Sequence, residues 1–463
     1  MVLASLLSFP LMAVDWPPIS LHPDNPKYLL FRGEPTVLIT SGEHYGAVLN
    51  RDFDYVRYLE ALARSGMDLT RTFSGAYCEH PGAFNIARNT LAPAEGSLLC
   101  PWARSDEPGY ANGGAKFDLT RYDEAYFERL RDFMREAGKR GIVVEFVLFC
   151  PFYGDEQWDL SPMNVANNVN GIGGIPREEV YTLLHEDLLR VQQAMVRRIV
   201  AELAPFDNLY YEICNEPYFG GVTLEWQHRI AETIADAEKA LPARHLIARN
   251  VANGREKVGN LHPAVSILNF HYAHPPDTVA MNAHLPVVIA DDETGFNGTS
   301  DEAYRTEAWD FILAGGAIFD NLDYSFTVGH EDGTFEYPDT QPGGGSTSFR
   351  RQMQILSDFV GGFGFIHMKP DASVVVGGVP EGGSVQALVE EGRAYAVYVQ
   401  GRGPTTLLVE MPEGTYRAEW VNPVTGEVDK RAGIEHAGGP CALESPAFDA
   451  DCALRLMRVG GER

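Results

Sequence analysis

A (β/α)8 TIM barrel followed by a small antiparallel β-sandwich is the architecture this sequence predicts, an α/β class fold, and three observations predict it. Eight short apolar segments alternate with helix-length amphipathic stretches up to about residue 366. No Gly-x-Gly-x-x-Gly opens the first helix, which argues for a closed parallel barrel over an open doubly wound sheet. From about Lys369 the texture changes to short alternating runs punctuated by Gly and Pro. The length of 463 residues suits a barrel of about 250 residues or more plus an appended domain. The expected division is 16–366 for the barrel and 367–463 for the sandwich.

The elements follow in order. Thr36 to Thr40 is the first strand, and the helix from Phe53 to Ala63 puts Val56, Leu59 and Ala63 on one face before Gly66 ends it. Asp68 to Phe73 is the second strand. A long loop rich in Gly, Pro and aromatics then runs to Lys116, at a strand's C-terminal end, where it can wall a site. A helix from Arg121 to Lys139 leads to the third strand, Ile142 to Phe149, and a helix from Glu178 to Leu203 leads to the fourth. That strand lies in Tyr210-Tyr211-Glu212-Ile213-Cys214-Asn215-Glu216-Pro217. Tyr and Ile favour a strand and Pro217 cannot continue a ladder, so the run delivers Glu216 to a loop. A helix from Leu224 to Leu241 precedes the fifth strand, His245 to Arg249, and the sixth is Val265 to Phe270. The seventh, Pro286 to Ala290, ends in Asp291-Asp292-Glu293. A helix from Ala303 to Leu313 leads to the eighth, Gly316 to Phe319, and a helix from Phe349 to Phe359 closes the barrel. In the last domain Val385 to Val389, Tyr395 to Val399 and Thr406 to Val409 are sandwich strands. Trp420-Val421-Asn422-Pro423-Val424-Thr425-Gly426 reads as a strand and turn of a packing domain.

Composition narrows the function classes. With 37 basic against 64 acidic residues the formal charge is −27, which repels nucleic acid and anionic membrane surfaces. No apolar run reaches the roughly 18 residues needed to span a bilayer. Hydrophobic content of 45% with 11% aromatics is that of a globular chain with aromatic surface to spare for a cleft. Leu3 to Ala13 followed by Val14-Asp15-Trp16 resembles the hydrophobic part and cleavage region of a secretory signal, although no Lys or Arg precedes it. Residues 1–15 are therefore expected to be a signal remnant and the protein secreted or periplasmic. Six cysteines are compatible with export. Cys78 with Cys100, and Cys441 with Cys452, are candidate pairs, whereas Cys150 and Cys214 at strand ends are expected to be buried thiols.

Two glutamates carry the candidate chemistry. Glu216 after strand four and Glu293 after strand seven share one rim of the predicted barrel, where barrels place their sites. Opposed carboxylates suit cleavage of a glycosidic bond: one acid protonates the leaving oxygen while the other attacks the sugar carbon. The acid must keep its proton near neutral pH, which desolvation and its partner's charge can achieve.

On these motifs the chain resembles clan A glycoside hydrolases, near the family 5 cellulase and mannanase group. Asn215-Glu216-Pro217 is similar to the clan's acid/base motif, and Glu293-Thr294-Gly295 after an apolar strand to its nucleophile motif. The resemblance, spanning roughly residues 30 to 365, implies Glu216 as acid/base and Glu293 as nucleophile of a retaining enzyme. It also implies Asn215 on the sugar 2-hydroxyl, Arg71 orienting the nucleophile, and His271 and Tyr272 beside it. Glu43, His44, Tyr153, Trp158 and Tyr324 complete the expected substrate-binding set. A carbohydrate is the implied partner, with no cofactor and no metal, and β-linked oligo- or polysaccharides are the implied substrates.

Three departures bear on substrate. Strand three ends Cys150-Pro151-Phe152-Tyr153 where family 5 members often have a histidine. His271 and Tyr272 are adjacent, so strand alternation would send only one of them into the site. Strand eight ends Asp320-Asn321-Leu322-Asp323-Tyr324 where a sugar-stacking tryptophan is usual. Two other classes compete. Asp291, Asp292 and Glu293 with His271 and His274 could be metal ligands of a barrel hydrolase, whose activity a chelator would remove. A silent barrel that only binds polysaccharide would be indifferent to Glu216→Gln. Tyr45, Phe73, Tyr77, Tyr218, Phe219 and Phe296, with Tyr153, Trp158 and Tyr324, are aromatic candidates for stacking on sugar faces.

Overall fold

Strand-forming runs in this chain are short and buried on both faces, which is the pattern of a parallel sheet covered by helices. A computed structural model describes residues 16–460. The expected signal segment, residues 1–15, lies outside the described residues.

The barrel strands are β1 (Leu38–Gly42), β2 (Leu69–Phe73), β3 (Val143–Val147), β4 (Leu209–Glu212), β5 (Ile247–Asn253), β6 (Ile267–His271), β7 (Val288–Thr294) and β8 (Ile318–Leu322). They pair in parallel in the order β1-β8-β7-β6-β5-β4-β3-β2. β1 and β2 lie side by side without a ladder between them. Three bonds close that seam: the Ile39 amide donates to Asp68 Oδ1 at 2.8 Å, and the Phe73 amide and the Thr72 hydroxyl donate to the Tyr45 carbonyl at 3.0 and 3.3 Å.

Around the strands run α1 (Tyr55–Arg64), α2 (Glu124–Lys139), α3 (Glu186–Leu203), α4 (Leu224–Glu238), α5 (Asp277–Met281), α6 (Asp301–Leu313) and α7 (Thr347–Gly361). Side-chain caps start them where the sequence turns polar: Asp54 for α1, Asp123 for α2, Thr223 for α4 and Ser346 for α7. No helix among the described residues is long and apolar enough to cross a membrane.

Three features depart from the sequence reading. The long loop after β2 contains an antiparallel hairpin, Trp102–Pro108 with Ala115–Tyr122. β7 runs through Glu293 to Thr294, so that glutamate stands within a strand, whereas β4 ends at Glu212, before Glu216. All six cysteines are free and buried, which corrects the two expected pairings.

The C-terminal part is a two-sheet sandwich. A six-stranded sheet runs in the order Lys369–Pro370, Ser384–Glu390, Ala394–Gln400, Asp451–Arg458, Gly414–Val421, Val428–His436. A three-stranded sheet, Val375–Gly377, Thr406–Met411 and Gly439–Glu444, faces it, and both are antiparallel. α6 is covered on most sides because it packs between the barrel wall and this sandwich. There Trp309 stacks on Tyr398 with ring centroids 5.2 Å apart. Arg305 forms a two-bond pair with Asp451, at 2.9 and 3.0 Å.

Candidate active site

Strand C-terminal ends and the loops that follow them converge on one cavity of about 410 Å³. Glu216 and Glu293 both line it, each 7% exposed. Their carboxylate oxygens and the His271 ring come within 4.8 Å of one another.

Backbone geometry sets this convergence. Past β4 the chain stays pinned, with the Ile213 amide bonded to the Ala248 carbonyl and the Asn215 amide to the Phe149 carbonyl. Glu216 then takes a left-handed conformation with φ of 36°, strained for a residue with a side chain. Tyr272 does the same at φ of 54°, and the β6–β7 register shifts between Phe270 and His271. That combination breaks strand alternation, so His271 and Tyr272 both reach the carboxylates. Of the two, Tyr272 lines the cavity, whereas His271 is fully buried and meets the carboxylates from behind the wall.

The two glutamates sit in different surroundings. Glu293 Oε2 accepts from Arg71 Nη1 at 3.2 Å and from the Tyr45 hydroxyl at 3.0 Å, and Oε1 accepts from the Tyr272 hydroxyl at 2.7 Å. Glu216 has no guanidinium. Its Oε2 accepts from the Tyr153 hydroxyl at 2.6 Å, its Oε1 from the Tyr218 hydroxyl at 3.1 Å, and His271 Nδ1 lies 3.2 Å from Oε1. Burial pushes the Glu216 carboxyl up, but the bonds from His271, Tyr153 and Tyr218 outweigh it and hold the group below the usual carboxylate range. His271 Nδ1 is also 3.5 Å from Glu293 Oε1, so the ring bridges the pair. Its other nitrogen meets the Asn250 amide. Nε2 also lies 3.5 Å from Asp292 Oδ1, so the ring connects the carboxylate pair to the buried layer beneath it.

Arg71 on β2 joins this site to a buried ionic layer beneath it. It donates to Glu212 Oε2 from Nε at 3.0 Å and Nη2 at 2.5 Å, and to Asn215 Oδ1 at 2.8 Å. Its Nε is 3.4 Å from Asp292 and 3.8 Å from Glu145. Burial opposes the guanidinium charge, but Glu212, Asp292 and Glu145 outweigh it and keep Arg71 protonated. One cation cannot neutralise three buried acids. Burial and the Glu212 charge push Glu145 up to about 8, and burial and the Glu145 charge push Asp292 well up, so protons take part of the load. Asn269 Nδ2 donates to both Glu145 and Asp292, at 2.6 and 2.7 Å.

The remaining expected residues divide. Asn215 and Tyr153 line the cavity and bond each other at 2.9 Å. His44 lines it as a neutral imidazole, pushed down to about 3 by burial. Glu43 turns away and accepts from the Gly46 and Ala47 amides, bracing the β1 loop. Trp158 packs on Phe152 and donates to the Ile175 carbonyl, and Tyr324 stands behind the wall against His44 and Phe296. None of these three lines the cavity. Of the aromatic candidates Tyr45, Phe73, Phe219 and Phe296 line it, whereas Tyr77 stands behind. Sequence reading missed Glu79, Phe84 and Asn253, which also line it. Asn253 ends β5 without a motif, and only the expectation that the 74–116 loop walls a site pointed toward Glu79 and Phe84.

The metal alternative is not assembled as expected. Asp291 accepts from the Ala273 amide and His274 lies beside Asp310, both away from Glu293. Glu216, His271 and Glu293 could each offer a ligand atom. Their lone pairs are already met by tyrosine hydroxyls and a guanidinium, donors that compete with a cation and suit a carboxylate pair.

No protein-family model matches this chain, and no curated protein matches it by sequence. Solved structures do match its fold. A family 5 glycoside hydrolase from Bacteroides vulgatus superposes with a TM-score of 0.63 at 14% identity, over 96% of this chain and 94% of that one. A second structure, named a glycoside hydrolase, gives 0.63 at 15% identity over 96% and 98%. At these identities the likeness is one of fold.

Proposed function

We propose that the protein is a retaining glycoside hydrolase that cleaves β-O-glycosidic bonds of oligo- or polysaccharides by double displacement. The observation that carries this reading is the carboxylate pair: an oxygen of Glu216 and an oxygen of Glu293 lie within 4.8 Å of each other, both against His271 Nδ1, and only Glu293 is held by a guanidinium. Retaining enzymes place their carboxyls roughly 5 to 5.5 Å apart, whereas inverting enzymes leave roughly 6.5 to 9.5 Å for a water.

Arg71, Tyr45 and Tyr272 fix the lone pairs of Glu293, which suits a nucleophile attacking the anomeric carbon. Glu216 donates a proton to the leaving oxygen. Substrate entry strips the remaining water from a carboxyl that is already nine-tenths buried, and the Glu293 charge beside it also favours the protonated form. Once Glu293 is esterified its charge is gone, Glu216 becomes more acidic, and it acts as base on the incoming water. Asn215, fixed by Arg71 and Tyr153, presents its amide to the cavity, where a sugar 2-hydroxyl would meet it. The aromatic walls exclude water and offer faces to a sugar ring.

The test is chemical. Glu293→Ala should abolish turnover of aryl β-glycosides, and added azide should restore part of it while forming a glycosyl azide of inverted anomeric configuration. A variant that keeps activity, or that azide does not rescue, removes Glu293 as nucleophile.

A further inference from the structure

The cavity holds a third carboxylate that the two-glutamate mechanism does not use. Glu79 lies in the loop after β2, is 3% exposed, and lines the same cavity as Glu216 and Glu293. Its partners are two neutral donors: the Tyr77 hydroxyl gives Oε1 a bond at 3.0 Å, and the Asn89 amide bonds Oε2. A carboxylate offers about four lone-pair sites, so roughly half of its capacity is unspent on a wall that faces the reacting pair.

The segment that carries Glu79 is held rigidly. Its amide donates to the Leu91 carbonyl at 2.8 Å, and the Leu91 amide returns to Asn89 Oδ1 at 2.8 Å. Thr90 ties the same segment to the β1 loop, donating from its hydroxyl to the His44 carbonyl and accepting at its carbonyl from Asn50. Gly46 makes that approach possible, because a Cβ there would stand 2.2 Å from the Thr90 carbonyl oxygen. A buried acid fixed this firmly is preorganised, and burying it without a cation is costly unless donors meet it.

Its side of the cavity is also defined. The Asn89–Thr90 segment that holds Glu79 bonds the His44 carbonyl, His44 lies edge-on to Tyr45 with centroids 5.4 Å apart, and the Tyr45 hydroxyl bonds Glu293. Tyr153, Tyr218 and Phe219 instead cluster on Glu216 and on one another. In double displacement the nucleophile faces the sugar that forms the covalent intermediate, and the proton donor faces the leaving group. Glu79 therefore belongs to the glycone side.

Resting on the retaining reading above, we infer that Glu79 is a specificity-determining residue that accepts hydrogen bonds from hydroxyl groups of the glycone. Burial and the Glu293 charge push Glu79 up to about 7, and because sugar hydroxyls both donate and accept, its two free sites can meet two neighbouring hydroxyls with or without that proton.

The experiment uses the aryl β-glycoside that the wild-type protein hydrolyses best, with its monodeoxy analogues at each glycone hydroxyl. Glu79→Ala should lower kcat/KM on the parent by roughly ten- to a hundredfold. At one or two positions, removing the sugar hydroxyl should cost the wild type a similar factor and cost the variant little. Glu79→Gln, which keeps the shape and one acceptor oxygen, should fall between them with an unchanged Tm. A variant that is weaker on every analogue by the same factor, or as active as wild type, overturns the assignment, because a structural buttress would not recognise one hydroxyl. Wild-type protein inert towards the entire panel of glycosides would instead overturn the hydrolase reading, and this assignment with it.

Discussion

At the scale of single residues, two glutamates of the same type acquire different tasks from their neighbours. Arg71 and two tyrosines hydrogen-bond Glu293, whereas Glu216 has only His271 and tyrosine hydroxyls. Tyr153 is the informative neighbour, because its hydroxyl both stabilises the Glu216 carboxylate at 2.6 Å and receives the Asn215 amide. A hydrogen bond given to a carboxylate favours its charged form and lowers its pKa. Tyr153→Phe should therefore raise the Glu216 pKa. An acid that must be protonated sets the alkaline limb of kcat/KM, so that limb should move upward by about one pH unit, the worth of one bond to a charged group. The profile is to be measured on an oligosaccharide, whose leaving group needs the proton. A limb displaced to lower pH would contradict the assignment of Glu216 as the donor.

At the scale of elements, the barrel closes with a side chain where a ladder is missing. Asp68 precedes β2 and receives the Ile39 amide of β1 at 2.8 Å, across the one strand boundary that lacks pairing. Asp68→Ala would leave that buried amide without an acceptor. We expect a loss of about 1–3 kcal/mol in urea unfolding, with little change in the slope of the transition; no change in the midpoint would mean that the seam does not depend on this bond. Asp68 also illustrates how far the sequence could be read. It was visible as the first residue of a strand, but its contact lies 29 residues back in the chain. All eight barrel strands were legible because each is a short run rich in β-formers between helix-length stretches, and Glu216 and Glu293 were legible because two of these runs lead into acid motifs. Strand ends were not. Reading stopped β7 at Ala290, the last apolar residue, yet Asp291, Asp292 and Glu293 continue it, because Arg71 and shared protons make the upper barrel hospitable to charge. The hairpin at Trp102–Pro108 and Ala115–Tyr122 was hidden for another reason: Phe117 and Leu119 alternate with polar neighbours, but the polar Arg104–Pro108 run that pairs with them carries no apolar alternation. Glu43, Trp158 and Tyr324 sit on the right loops, but their side chains turn to backbone donors or packing partners that periodicity does not reveal.

At the scale of the whole molecule, acids buried without full compensation link stability to pH. Burial pushes Glu43, Asp68 and Glu307 up to about 7; burial and the Asp451 charge do the same to Asp310; burial and the Glu212 charge take Glu145 up to about 8. These groups are spread from the β1 loop to the α6 face that meets the sandwich, so the effect belongs to the entire fold. Each retains its proton when folded at a pH where the unfolded chain, with ordinary carboxyls near 4, has released it. The folded state then binds more protons, and stability falls as pH rises through these folded values. His44 works in the other direction: pushed down to about 3 by burial, it costs stability only as pH falls below the ordinary histidine value near 6.5. The window from about pH 6.5 to 8 therefore isolates the acids. We expect Tm to be lower at pH 8 than at pH 6.5. Part of that difference would come from self-repulsion of a chain with formal charge −27, which salt screens, whereas buried carboxyls are screened far less. Melting curves at both pH values, at low salt and again at about 1 M, separate the two contributions. A decrease that persists at high salt assigns the loss to the buried acids, and one that vanishes assigns it to surface charge. A Tm that rises from pH 6.5 to 8 would mean that these carboxyls are already ionised in the folded protein, with Arg71 and their hydrogen bonds carrying more of the buried charge than burial opposes.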